Sequence, residues 1–234
     1  MMEADNNPPV PHALPRASYE AAEDFPLAVD TEAFRLVAEM NLRGLRVLRE
    51  ALADGRSSGL AAVDGLRSDW LALDEAALAR VAEAPFLLFE LSIDAALTAH
   101  RSPSWAVSDD PHRVVSWCGR PAGRAFARLL CHFCWQTCRT APTAASLLLG
   151  ISPAGCAAFR TLTLPNLDAL TEIAGHWLAL RWGDEPRHWR GRLQAAGRTD
   201  PEALWQDTLH GLQRLAAVAR TPSAPVRTGS RRAR

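Results

Sequence analysis

Apolar and polar residues alternate along most of this chain with the period of a helix. Over residues 31–54 Phe34, Val37, Leu45 and Leu48 recur at helical spacing with Arg and Glu between them, and Asp30 stands where a cap belongs. Gly55 to Gly65 reads as a loop. Asp74 then introduces the short helix EAALARVAEA. Pro85 opens FLLFELSIDAALTAH, apolar on nearly all sides, which predicts a buried helix. Residues 101–120 hold Ser, Pro, Asp and Gly with scattered Trp and read as a linker.

Helical periodicity resumes after Pro121 in GRAFARLLCHFCWQTCRT. Pro142 starts TAASLLL, and Gly150 stops that run. Ser152 and Pro153 then form the cap and first turn of a second short helix, and Thr163 caps a third, which Gly175 ends. WLALRW has the look of an extended segment. Asp184 is placed to cap EPRHWRGRLQAA, and Thr199 with Glu202 has the spacing of a capping box for a last helix reaching Arg220. NLRGLRVLREAL echoes the helix near residue 125, but only as one amphipathic helix echoes another, and no strong repeat is visible.

The fold expected is therefore all-α, built of many short helices with a helix-turn-helix-like corner in the C-terminal half. Five segments follow: a disordered Pro-rich arm over 1–29, an acidic helical module over 30–100, the linker over 101–120, a basic helical module over 121–220 and a disordered basic tail over 221–234. Composition agrees. Nearly half of the chain is hydrophobic, Tyr occurs once, and Ala, Leu, Arg and Glu dominate.

Charge changes the picture. Lysine is absent, so neither a Schiff-base nor a P-loop lysine exists in the 234 residues. The net charge of zero conceals two unlike halves. Residues 1–100 hold 8 Arg against 17 Asp and Glu, and residues 101–234 hold 18 Arg against 9, or −9 and +9. Such asymmetry fits polyanion binding or mutual docking, and equally two solvated surfaces. No apolar run is long enough to span a membrane, no secretory signal precedes the first helix, and five cysteines form no disulfide framework. A cytoplasmic protein without membrane contact is expected.

Two clusters invite chemistry. In CHFCWQTC, Cys131, Cys134 and Cys138 follow one helical face while His132 points elsewhere, and no fourth ligand is supplied nearby. The pattern predicts a small-residue packing seam rather than a metal or redox centre. Trp177, Trp182, Trp189 and Trp205 alternate with Arg181, Arg187, Arg190, Arg192 and Arg198. That mix suits stacking on nucleic acid, and suits better a core of indoles with arginines reaching outward. No catalytic motif occurs, and no enzyme activity or cofactor is expected.

The corner itself, LLLGISPAGCAAFRTLTLP, has Ala145 in the first helix, Gly150 at the turn, Ile151 after it, and Cys156 and Phe159 as anchors in the second. Residues 142–174 resemble FlhD, the flagellar master-regulator subunit. Leu149-Gly150-Ile151, Leu162-Thr163-Leu164-Pro165, and Leu167, Leu170 and Glu172 carry the likeness, with FARLLCHFCWQTC similar in placement to the family's first helix. It spans about residues 124–175, a fifth of the chain. The resemblance implies an all-α, dimeric activator of flagellar or secretion genes that shares DNA binding with an FlhC-like partner. The alternative is a helical adaptor of a flagellar or secretion system without DNA contact. The candidate DNA contacts are Ser152, Arg160, Arg181, Arg187, Arg190 and Arg192. The chain is longer than members of that family and carries an acidic half they lack.

Overall fold

A computed structural model describes residues 31–55, 57–91, 120–173 and 178–220. It is mostly helical, with ten helices and one two-stranded sheet among the described residues. The first long helix, α1 (Thr31–Ala53), is followed by α2 (Ala61–Asp64), α3 (Arg67–Ala72), α4 (Glu75–Ala82) and strand β1 (Phe89–Leu91). A second long helix, α5 (Pro121–Thr140), is followed by α6 (Pro142–Leu148), α7 (Pro153–Arg160), α8 (Leu164–Ile173) and strand β2 (Leu178–Leu180). Two further helices, α9 (Pro186–Arg198) and α10 (Pro201–Arg220), complete the described chain. The expected arm over 1–29, the cap at Asp30, the linker up to residue 119, Gly175, Trp177 and the tail over 221–234 lie outside the described residues.

Most helix starts follow from local chemistry. Asp74 accepts the Ala77 N–H at 2.6 Å, and Ser152 accepts the Gly155 N–H at 3.0 Å, so both act as the expected caps. Pro121, Pro142 and Pro153 each occupy a first turn, where a missing N–H costs nothing. Two expected caps are corrected. Glu185, not Asp184, precedes α9 and makes no cap bond; its carboxylate pairs with Arg214 on α10. Thr199 is left-handed, with φ of 55°, and ends α9, while Asp200 caps α10 by accepting the Ala203 N–H.

The segment after Pro85 is also corrected. Over the described part of the expected helix, residues 86–91, Phe89–Leu91 instead pairs antiparallel with Leu178–Leu180, Phe89 facing Leu180 and Leu91 facing Leu178, while residues 92–100 lie outside the described residues. An apolar run buried on both sides lacks the periodicity that separates strand from helix. Asn41, buried on α1, fixes this segment. Its amide donates to the Ala82 and Phe86 carbonyls, and its Oδ1 accepts the Leu88 N–H at 2.8 Å.

Among the described residues the order of elements repeats: long helix, three short helices, short strand, twice over. The burial pattern repeats with it. Val37, Met40, Asn41, Gly44, Leu45, Leu48 and Leu52 of α1 are buried. At one constant offset so are Gly123, Phe126, Ala127, Leu130, Cys131, Cys134 and Cys138 of α5. Gly65-Leu66 stands after α2 where Gly150-Ile151 stands after α6. The two stretches meet at the antiparallel strands, and the flank of each strand reaches the other stretch's corner. Leu87 donates to the Leu148 carbonyl at 2.7 Å, and Ala62 donates to the Gly183 carbonyl at 2.9 Å. The repeat escapes the sequence because burial is kept while chemistry changes, with leucine in one copy and cysteine in the other.

The described parts of the acidic and basic segments consequently share one core. From Glu32 onward they belong to a single compact unit, and α9 packs on α2, α3 and α4. Trp189 of α9 lies against Trp70 of α3 with ring centroids 5.3 Å apart. Gly44 permits the close passage of the Phe89 and Phe126 rings, since a Cβ there would fall 2.3 Å from one and 2.5 Å from the other.

Candidate nucleic-acid and protein interface

The site grows from the corner between α6 and α7. Gly150 takes φ of 64°, a left-handed value that lets the chain leave α6 without a Cβ clash. Ala145, Leu148, Leu149, Ile151, Cys156 and Phe159 are buried around it, as a helix-turn-helix-like corner requires. Gly65 in the first repeat has φ of −72°, so the two corners share a place in the topology but not a backbone hand.

The six candidate contacts separate into three groups. Ser152 is half-buried, and its Oγ is engaged as the cap of α7. Arg160, Arg187 and Arg190 are exposed and make no ion pair among the described residues. Arg181 and Arg192 are not surface groups: only 5 % and 2 % of each is exposed. Neither can reach a phosphate in the folded protein, and both are withdrawn from the candidate interface.

What these two arginines do instead is structural. Arg181 donates from Nε to the Leu87 carbonyl and from Nη2 to the Leu149 carbonyl, each at 2.9 Å, with Glu90 at 3.7 Å from Nη1. It thereby ties β1's approach to the Gly150 corner. Arg192 donates twice to the Val81 carbonyl, which terminates α4, and pairs with Asp207 of α10. Burial pulls both guanidinium groups below their ordinary value, against the opposing pull of Glu90 and Asp207. Burial also pushes Asp207 upward, but the His188 hydrogen bond and the Arg192 charge outweigh it and hold the carboxyl below the usual range. Arginine at these positions looks like surface in a sequence; the signal that separates them is helical phase. Arg192 shares the inner face of α9 with Trp189, Leu193 and Ala196.

The outer face of α9 is basic. Arg187, Arg190, Gln194 and Arg198 recur at three- and four-residue spacing and are exposed. Trp189 sits inside, and its indole N–H donates to the Arg181 carbonyl at 3.0 Å, so it is unavailable for stacking on a base. Trp182 is half-buried between Phe86, His188 and the Arg214 guanidinium. Trp205 is exposed by 58 %. Of the candidate arginines, the exposed ones are thus Arg187 and Arg190 on α9, and Arg160 at the end of α7.

The cysteine cluster is a packing seam. Cys131, Cys134 and Cys138 of α5 and Cys156 of α7 are all buried, and the Cys156 thiol lies 3.8 Å from the Cys138 carbonyl oxygen. Desolvation pushes the Cys131 thiol up to about 12 and raises Cys134 and Cys138 as well. These four thiols are expected to resist alkylation at pH 8 in the folded protein and to react fully in denaturant; rapid labelling of the native chain would contradict the packing. Cys134→Ala, which leaves a small void, is expected to cost about 1 kcal/mol in urea unfolding.

No helix among the described residues is long and apolar enough to cross a membrane. Set beside family models, characterised proteins and solved structures, the chain finds no significant match in any of the three.

Proposed function

We propose that this chain is an FlhD-like regulator of transcription, of flagellar or secretion genes, that meets DNA through phosphates and takes its sequence preference from a second DNA-binding subunit. The observation that carries the reading is the Gly150 corner of two short helices in the same repeat whose sequence resembles FlhD. The internal repeat adds a further step. Two like units joined across antiparallel strands give one chain the form that a dimer of single units would have. A homodimer is then not needed to supply the second unit, and an FlhC-like subunit is the more economical partner. The FlhD-like helix α7 offers few polar groups for base edges, so affinity comes from Arg187, Arg190 and Arg198.

The test uses the full chain, because the basic segment shares its core with the acidic one. Log affinity for duplex DNA is expected to fall linearly with log salt. Arg187→Ala/Arg190→Ala is expected to lower that slope by about two units, one per lost contact. Absence of binding at low salt, alone and with a co-purifying partner, would leave the helical adaptor as the reading. An unchanged slope in the double variant would move the phosphate contacts to the Arg231–Arg234 tail.

A further inference from the structure

A crevice of about 430 Å³ opens where the end of α4 meets the first turns of α10, with Arg192 of α9 in its wall. That volume lies within the range of pockets that hold small molecules, about 300–1,000 Å³. The donors of Arg192 are engaged by Val81 and Asp207. Three other polar side chains of the wall are not so engaged. Thr208 of α10 is only 7 % exposed, and its hydroxyl makes no hydrogen bond among the described residues. A helical threonine can return its hydroxyl to the carbonyl one turn back, as Thr137 and Thr140 do on α5; Thr208 does not. Arg80, half-buried in the last turn of α4, is held by its Nε on the Ala196 carbonyl at 2.9 Å, and its two Nη groups have no partner among the described residues. Glu83, three residues on, is exposed and makes no ion pair among the described residues. Trp205, 58 % exposed, gives the crevice an aromatic wall beside Leu204 and Pro85.

We infer that this crevice binds a free α-amino acid with an aromatic side chain, its carboxylate on Arg80 and Thr208, its ammonium on Glu83 and its ring against Trp205. Thr208 points to a ligand in the first place, because a buried hydroxyl without a partner costs free energy until a partner arrives. Arg80 and Glu83 specify the ligand's charges. A guanidinium anchored at Nε presents its remaining donors in one plane, the match of a carboxylate. Arg80 and Glu83 stand one turn apart, so the groups that answer them also stand close together, as the carboxylate and ammonium of an α-amino acid do. A simple carboxylate would meet Glu83 as a like charge, and a simple amine would meet Arg80 so. An internal peptide segment carries neither charge on its backbone. The indole of Trp205 with Leu204 and Pro85 favours a flat apolar side chain.

The inference stands apart from the phosphate contacts proposed on α9, since neither Arg187 nor Arg190 lines the crevice. The probe is para-fluoro-L-phenylalanine, titrated into the full chain and followed by its fluorine NMR signal. Saturable binding is expected, with a dissociation constant of about 1 mM or lower. Para-fluorophenethylamine, which lacks the carboxylate, is expected to bind about tenfold more weakly. Para-fluorohydrocinnamate, which lacks the ammonium, is expected to bind about threefold more weakly, and Glu83→Gln is expected to abolish that preference. Trp205→Ala and Thr208→Val are each expected to weaken binding about fivefold. Trp205 is exposed and the Thr208 hydroxyl has no partner to lose, so thermal unfolding of both variants is expected to match the parent. Absence of saturation at about 10 mM probe, or binding indifferent to both substitutions, would overturn the inference. Equal affinity for the amino acid and for para-fluorohydrocinnamate would overturn it in favour of a simple carboxylate.

Discussion

Arg192→Met is expected to destabilise the protein by about 3–5 kcal/mol, the range typical of removing one member of a buried ion pair. Arg192 holds three structures together from the inner face of α9: the Val81 carbonyl at the end of α4, Asp207 on α10, and through Asp207 the His188 imidazole, whose Nδ1 lies 3.0 Å from the carboxylate. Methionine fills much of the volume, so the loss is electrostatic: a carbonyl and a largely buried carboxylate lose their donor. The pH dependence gives the origin away. Asp207 is depressed in the folded state, so its pairing contributes stability above the unfolded carboxyl pKa of about 3.9 and loses it as pH falls through the lower folded value. At acid pH the carboxyl is protonated in parent and variant alike, and the difference between their unfolding free energies is expected to shrink. Arg187→Met, on the outer face of the same helix, is expected to change stability by no more than about 0.5 kcal/mol. Equal urea midpoints for the Arg192 variant and the parent would mean that Arg192 is not buried against α4 and α10.

This pair of arginines shows where sequence reasoning reaches its limit in this chain. Both Arg187 and Arg192 sit in a run that reads as a basic, Trp-bearing surface. Composition treats them alike, and only the phase of α9 relative to Trp189 and Leu193 separates them. Arg181 is harder still, because it follows a strand and its burial depends on the Leu87 and Leu149 carbonyls, far away in sequence. The corner was legible because its signals are local: Gly150 for the left-handed turn, Ser152 for the cap, Pro153 for the first turn. The capping box proposed at Thr199 failed for a related reason. Thr-x-x-Glu spacing fits, but Asp200 competes one residue later and takes the cap, and Thr199 then serves as the left-handed end of α9.

The all-α class was legible for the same local reasons, whereas the pairing of β1 with β2 was not, since it joins segments separated by much of the chain. The pairing matters more than its length implies. It marks the place where the two repeats meet, and it turns an apparent acidic module and basic module into one body with a shared core. The charge asymmetry remains a property of two stretches of sequence whose described parts lie in one compact unit. Asn41 belongs with this reasoning. A lone Asn inside an amphipathic helix reads as a neutral surface residue, yet its amide satisfies two carbonyls and one N–H of the segment leading into β1.

Gly150→Val is expected to cost about 2–5 kcal/mol, the sum of two separable effects. The first is backbone strain. At φ of 64° a β-branched residue pays roughly 1–2 kcal/mol over glycine. The second is displacement of a neighbour. A Cβ at residue 150 would lie 2.7 Å from both terminal nitrogens of Arg181, and that guanidinium is held in place by the Leu87 and Leu149 carbonyls. To make room it must give up buried hydrogen bonds worth about 1–3 kcal/mol. A double-mutant cycle distinguishes the two. Gly150→Ala is measured in the parent and in an Arg181→Met background, where the flexible thioether yields more easily than an anchored guanidinium. The clash component is expected to disappear in that background, leaving the strain component, so the two substitutions should couple by 0.5 kcal/mol or more. Strict additivity would show that Arg181 does not lie over the corner. A Gly150→Val variant as stable as the parent would show that the turn between α6 and α7 is not left-handed and that this corner is not built like a helix-turn-helix.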